Sequence, residues 1–238
     1  MKAFLYGAAL QWKLDLRSKT MLITCYVVPL LFFTLMGGIF TAINPAAGDT
    51  LIPSMTVMGV SMGALIGLPP SLSEIYGSDI RKAYAANGAP MWFALTANFL
   101  SSFVHLLIMS LLIYCIAPAA FSAALPASPM LYFGVLALLI AVSLSIGSVL
   151  GLAVGNQAKL TMLSQLVFLP SILLSGILVP AGLLPEPLIL LGKLFPATWG
   201  YRLMTAENFA LENFWPLVLI LAVAIAACCY MLKRLKAE

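Results

Sequence analysis

AYAANGAPMWFALTANFLSSFVHLLIMSLLIYCIAPAAFSAALPASPMLYFGVLALLIAVSLSIGSVLGLAVGNQA, residues 83–158, holds no Asp, Glu, Lys or Arg in 76 positions. A membrane-crossing helix takes about 20 apolar residues, so the run is far too long for one crossing. Pro118, Pro126 and Pro129 divide it and leave two stretches of spanning length, Met91–Ala117 and Met130–Gly155. The same pattern continues on both sides. Charge is absent again over 20–48, 50–73, 160–185 and 213–232. These runs add candidate spans at Thr20–Ile43, Leu51–Ser73, Thr161–Pro180 and Phe214–Leu232. Pro29 and Pro170 interrupt the first and fifth spans. Within a membrane they are expected to kink a helix rather than end it, because neighbouring helices satisfy the freed carbonyls.

Composition agrees with that reading. Of 238 residues, 12 are basic and eight acidic; charge makes up 8% of the chain and hydrophobic residues 63%. An ordinary soluble domain carries about 25% charge. A soluble enzyme, a nucleic-acid binder and a disordered chain are excluded on that ground.

The basic residues also set an orientation. Lys2, Lys13, Arg17 and Lys19 precede span one, Arg81 and Lys82 follow span two, Lys159 follows span four, and Lys233, Arg234 and Lys236 close the chain. Lys193 and Arg202 alone fall on the opposite side. Six spans with both termini in the cytoplasm are expected, in the plasma (inner) membrane, and the net charge of +4 reports topology rather than a nucleic-acid partner. Residues 1–19 carry charge where a secretory leader has its apolar core. They read as an amphipathic helix in the headgroup layer, with Leu5, Ala9, Trp12 and Leu16 on one stripe.

The chemistry on offer is limited. Cys25, Cys115, Cys228 and Cys229 lie in predicted spans without CxxC spacing, so neither a disulfide nor a metal site is expected. No phosphate loop of the GxxxxGK[ST] kind occurs. The spans lack carboxylates, which counts against a proton- or sodium-coupled carrier. Gly59-Val60-Ser61-Met62-Gly63 matches GxSxG, and the single histidine, His105, lies in the next span, so a Ser61–His105 intramembrane hydrolase is one alternative. Helix packing is the simpler reading. Gly59, Gly63 and Gly67 form one bare ridge, and Gly147, Gly151 and Gly155 form another. Asn98, Ser101, Ser102 and His105 make one face of span three polar, and with Gln165 they are candidate pathway residues.

Two connecting segments are distinctive. SEIYGSDIRKAYAANGAPMW, residues 73–92, is charged and cytoplasmic. Asp79–Ala86 fits a two-turn helix capped by Ser78 or Asp79 and stopped by Gly88. LSGILVPAGLLPEPLILLGKLFPATWGYRLM, residues 174–204, is external yet apolar, and Leu188–Leu194 is too short to span. Residues 181–213 are therefore expected to form a re-entrant segment before the last helix.

In order and spacing these features resemble the type-2 permease subunits of ABC transporters. The likeness rests on KLDLRSKTMLITCYVVPLLFFTLMG at the start, on Glu74, Gly77, Arg81, Tyr84, Gly88 and Pro90 in the cytoplasmic loop, and on Ser175, Gly176, Pro180, Leu184, Pro185, Pro196 and Tyr201 in the late segment. It implies an all-α domain of six transmembrane helices over residues 1–238 that dimerises with a second copy or a sister permease. It implies a separate cassette ATPase that binds ATP and Mg, with no cofactor held by this chain. Glu74, Gly77, Asp79, Arg81, Lys82, Tyr84, Gly88 and Pro90 would receive the ATPase. Gly176, Pro180, Pro185, Pro196 and Tyr201 would form an outer gate. The implied activity is export of an amphipathic drug, lipid, glycan or peptide, by a subunit that is not itself an enzyme. An ATP-independent carrier or membrane scaffold is the other alternative.

Overall fold

A computed structural model describes residues 2–43, 47–78, 80, 84, 86, 88, 90–206 and 209–237. The regular elements among them are all helical, with no strand among the described residues. Helix α1 is Lys2–Arg17. Five helices are long and apolar enough to cross a membrane: α2 (Lys19–Ile43), α3 (Gly48–Gly77), α4 (Trp92–Phe121), α5 (Pro129–Ala153) and the last, α9, over Leu211–Leu235 of its Leu211–Ala237. Between them lie α6 (Gln157–Leu173), α7 (Glu186–Gly192) and α8 (Pro196–Thr205).

The helices continue through their prolines. Proline lacks an N–H and its ring clashes with the carbonyl four residues back. In α2 a π turn at Ile23–Val27 directly precedes Pro29, and in α3 another at Gly63–Gly67 precedes Pro69 and Pro70. Each widened turn moves the offending carbonyl aside and lets the helix continue. Pro118 does not close the third span either. α4 runs on to Phe121 and ends at Ser122, whose φ of 51° reverses the chain. The lost hydrogen bond falls in the last turn, where the helix is already running out of partners.

The sixth helix departs most from its expected bounds. Asn156 caps α6, its side chain accepting from the Lys159 N–H at 3.1 Å. The helix passes Pro170 and stops at Leu173, leaving 17 residues where a span to Pro180 was expected. Ser175 and Gly176 end it. Ser175 Oγ donates to the Ile172 carbonyl at 2.7 Å and accepts from the Ile177 N–H at 3.3 Å. Gly176 sits at φ +92°, a conformation open to glycine at little cost.

α3 is the central helix. Of its apolar stretch 89% is buried, against 22% for α2 and α9. α2 and α4 pack on one flank and α5 on the other, while α8 comes back from the loop side to pack on α3, α5 and α9. α8 buries Pro196, Ala197, Thr198, Gly200, Leu203 and Met204. Thr198 Oγ1 donates to the Gly192 carbonyl at 2.6 Å and Trp199 Nε1 to the Lys193 carbonyl at 2.7 Å, which fixes the corner between α7 and α8.

Candidate functional site

At the end of the bundle where the cytoplasmic loop was expected, α3 extends one turn beyond its apolar run. Glu74 and Gly77 therefore lie on the helix rather than in the loop that follows. Glu74 is exposed and, with Ser18, Thr20, Ser71 and Gln157, lines a cleft of about 250 Å³. Three contacts join this end of α3 to the link from α5 into α6. Ser73 Oγ donates to the Val154 carbonyl at 2.7 Å, Gln157 Nε2 donates to the Pro70 carbonyl at 3.3 Å, and a Cβ on Gly77 would stand 3.5 Å from Gly155 Cα. Beyond Gly77, Ser78 Oγ accepts from the Ile80 N–H at 3.2 Å. Ile80, Tyr84 and Ala86 have helical backbone, and Gly88 takes φ +69°. Tyr84 is partly buried against the core, and Pro90 accepts from the Phe93 N–H at 3.0 Å. Asp79, Arg81 and Lys82 lie outside the described residues.

Sequence reasoning passed over Tyr76. Its buried hydroxyl donates to the Met91 carbonyl and accepts from the Leu95 N–H at 3.0 Å. The start of α4 has no side-chain cap of its own at Met91. The available signal was a lone tyrosine at the end of an apolar helix, too common to read.

At the other end, a cavity of about 510 Å³ brings together Gly176, Pro180 and Tyr201 with Phe40, Ser54 and Arg202. The Arg202 guanidinium also sits 5.5 Å over the Trp199 ring. The other two residues expected at an outer gate do not line the cavity: Pro185 caps α7 and Pro196 is the buried first residue of α8.

The polar face of α4 meets α1. Ser101 Oγ donates to Asp15 Oδ2 at 2.5 Å, and Gln11 Nε2 donates to Asp15 Oδ1 at 2.8 Å. Trp12 stacks on His105 with ring centroids 4.0 Å apart, and Tyr26 Oη lies 2.7 Å from His105 Nδ1. Asp15 is 5% exposed, and burial pushes its carboxyl above the usual carboxylate range, opposed by the bonds from Ser101 and Gln11 and by His105. α1 is thus not simply apolar on its packed side, and Leu16 of the expected stripe is 45% exposed. Asn98 Nδ2 donates to the Ala94 carbonyl of its own helix, and Ser102 is buried. Gln165 is exposed on α6 and joins none of these groups. Nor do Ser61 and His105 form a dyad. Ser61 Oγ and His105 Nε2 are both buried and each lacks a partner, while Nδ1 is engaged by Tyr26.

The glycines mark close approaches of α3. A Cβ on Gly59 would stand 2.9 Å from Met109 Sδ of α4, one on Gly63 would strike Leu106, and one on Gly67 would touch Cys25 Sγ of α2 at 3.4 Å. A Cβ on Gly147 would collide with the Ala64 carbonyl oxygen, and one on Gly151 would meet the Pro69 carbonyl oxygen at 2.8 Å. Gly155 belongs to neither ridge. It lies past the end of α5, and a Cβ there would meet nothing within 4 Å.

The profile described as ABC-2 type transporter matches residues 3–209, from α1 through α8. No curated protein matches the chain.

Proposed function

Because the chain belongs to the ABC-2 type transporter family, whose members are multi-pass membrane permeases working with an ATP-binding cassette subunit, we propose that it is the membrane half of an ATP-driven exporter. In this reading it has six crossings with both termini cytoplasmic, α6 being the fifth. α1 lies in the headgroup layer, and α7 and α8 form a re-entrant element on the outer side. Two such chains, or this one and a sister permease, enclose the pathway. ATP and Mg belong to the partner ATPase. The cargo is an amphipathic drug, lipid, glycan or peptide that leaves the plasma membrane outward.

The observation that carries this reading is the cytoplasmic end of α3. An exposed carboxylate, Glu74, stands beside a cleft and is followed by helical residues and a positive-φ glycine, Gly88. The family profile covers the whole arrangement. A connection between two spans whose described residues Ile80, Tyr84 and Ala86 are helical is suited to carry a push from a docked ATPase into α3 and α4. Arg81 and Lys82 add charge for that docking.

The test is co-purification of the full-length chain with a cassette ATPase from its own cell. Association is expected with the native sequence and is expected to drop about tenfold in a Glu74→Arg, Tyr84→Ala double variant, since a reversed charge and a lost aromatic anchor are each costly at an interface. Stable recovery of the permease without any ATPase would count against the reading.

A further inference from the structure

We infer that Tyr76 is the positioning residue that makes α3 and α4 move as one body when the loop between them is pushed. This rests on the coupling role proposed above and deepens it.

The loop of residues 78–90 leaves α3 just after Tyr76 and enters α4 just before Trp92. Tyr76 and Met91 are 15 positions apart in sequence, and the Tyr76 hydroxyl joins them directly. It holds the Met91 carbonyl and the Leu95 N–H, the acceptor and donor four residues apart that define the first turn of α4. Helix ends fray where their polar groups lack partners, and α4 has no cap of its own at Met91. The Tyr76 hydroxyl is therefore inserted at the first backbone pair of α4 and ties that turn to α3. Tyr76 is buried, and an unmade bond there costs more than at the surface.

The remaining contacts at this level complete the body. Ser73 ties α3 to the Val154 carbonyl at the end of α5, and Gln157 ties α6 to the Pro70 carbonyl. A load applied at Tyr84 or Ile80 thus reaches α4 through Tyr76 and reaches α5 and α6 through Ser73 and Gln157. Without the Tyr76 hydroxyl, the loop can be displaced by fraying the first turn of α4 while the helix itself stays still.

Tyr76→Phe removes the hydroxyl and keeps the ring. In the full-length chain in nanodiscs, amide exchange over residues 91–96 is expected to quicken roughly tenfold, the effect of one lost buried hydrogen bond. Unchanged exchange over Leu211–Ala237 marks an intact fold. Equal exchange at 91–96 in both proteins overturns the inference. The second measurement uses proteoliposomes holding the permease with its co-purified ATPase, in a Cys115→Ser, Cys229→Ser, Leu178→Cys background that leaves no other exposed thiol among the described cysteines. A maleimide reports the outer cavity, which Leu178 lines. ATP is expected to change the labelling rate severalfold with Tyr76 present. In Tyr76→Phe that change is lost, while ATPase association and ATP hydrolysis persist. An identical ATP response in Tyr76→Phe removes the coupling role and leaves the proposed function standing. Absence of any ATPase from the native protein removes both.

Discussion

Two seams hold α3 and α4 in place, and they are built on opposite principles. Between α3 and α5 the contact is backbone against backbone: Gly147 and Gly151 let α5 sit on the carbonyls of Ala64 and Pro69. Between α1 and α4 the contact is polar. A buried carboxylate is bonded to Ser101, and Trp12 is stacked on His105. In lipid, helices gain little from hiding apolar surface from one another, so close packing and interhelical hydrogen bonds remain as the adhesives. The first seam uses shape and the second uses polarity. A seam of shape tolerates no added atom. A seam of polarity tolerates small changes of volume but not the loss of a partner, and it responds to pH.

Gly147→Ala gives the sharpest break. The new methyl would overlap a main-chain oxygen, which no rotamer change relieves, so α5 must shift bodily. Overpacking of this kind costs about 3 kcal/mol. Thermal unfolding in detergent should show the loss, while Gly155→Ala, with nothing within 4 Å of the added carbon, should match the native protein. Similar behaviour of the two variants would mean that the seam is not set by shape.

Asp15→Ala tests the polar seam and should cost less, about 1–2 kcal/mol, because it leaves Ser101 and the Gln11 amide to find other partners. The expected phenotype is local: α1 detaches from α4 and becomes open to protease, while the α3–α5 seam keeps its protection. Global unfolding instead of local release would show the two seams to be one cooperative unit.

What could be read in advance follows the same division. The bare ridge of Gly59, Gly63 and Gly67 and the polar face of Ser101 and His105 are periodic, and period survives in a sequence. Their partners are not periodic. That Gly147 meets the Ala64 carbonyl, or that Asp15 reaches Ser101, 86 positions away, depends on how helices are arranged in space. Tyr76 and Tyr26 stayed hidden for that reason, each a single hydroxyl without a pattern around it. Gly155 was misplaced by extending a period past the end of its helix. The early stop of α6 came from Ser175 and Gly176, a turn pair set within an apolar stretch, where the prolines on either side gave the stronger signal.

pH should separate the seams without any change of partner. Burial raises the Asp15 carboxyl, so the folded state favours its protonated form. A raised folded value means that this contribution is complete below the ordinary carboxylate range, about pH 4, and is lost as pH climbs through the raised value. Docking of α1 should therefore loosen across that interval in the native protein and stay level in Asp15→Asn. Fluorescence of Trp12, with the other tryptophans replaced by Phe, reports the stack on His105. A native curve parallel to that of Asp15→Asn would remove Asp15 as the source.

The smallest effect belongs to Ser61→Ala, which touches neither seam. Ser61 sits between Gly59 and Gly63 on the most buried helix, yet its hydroxyl has no partner. Removing an unpartnered buried hydroxyl takes away no bond and relieves a desolvated group, so stability should change by less than about 0.5 kcal/mol. A hydrolytic serine would behave differently, with activity collapsing while stability held. Transport and unfolding temperature measured on one preparation distinguish the two outcomes. An activity loss without a stability loss would reopen the GxSxG reading and would require Ser61 Oγ and His105 Nε2, each without a partner here, to come together.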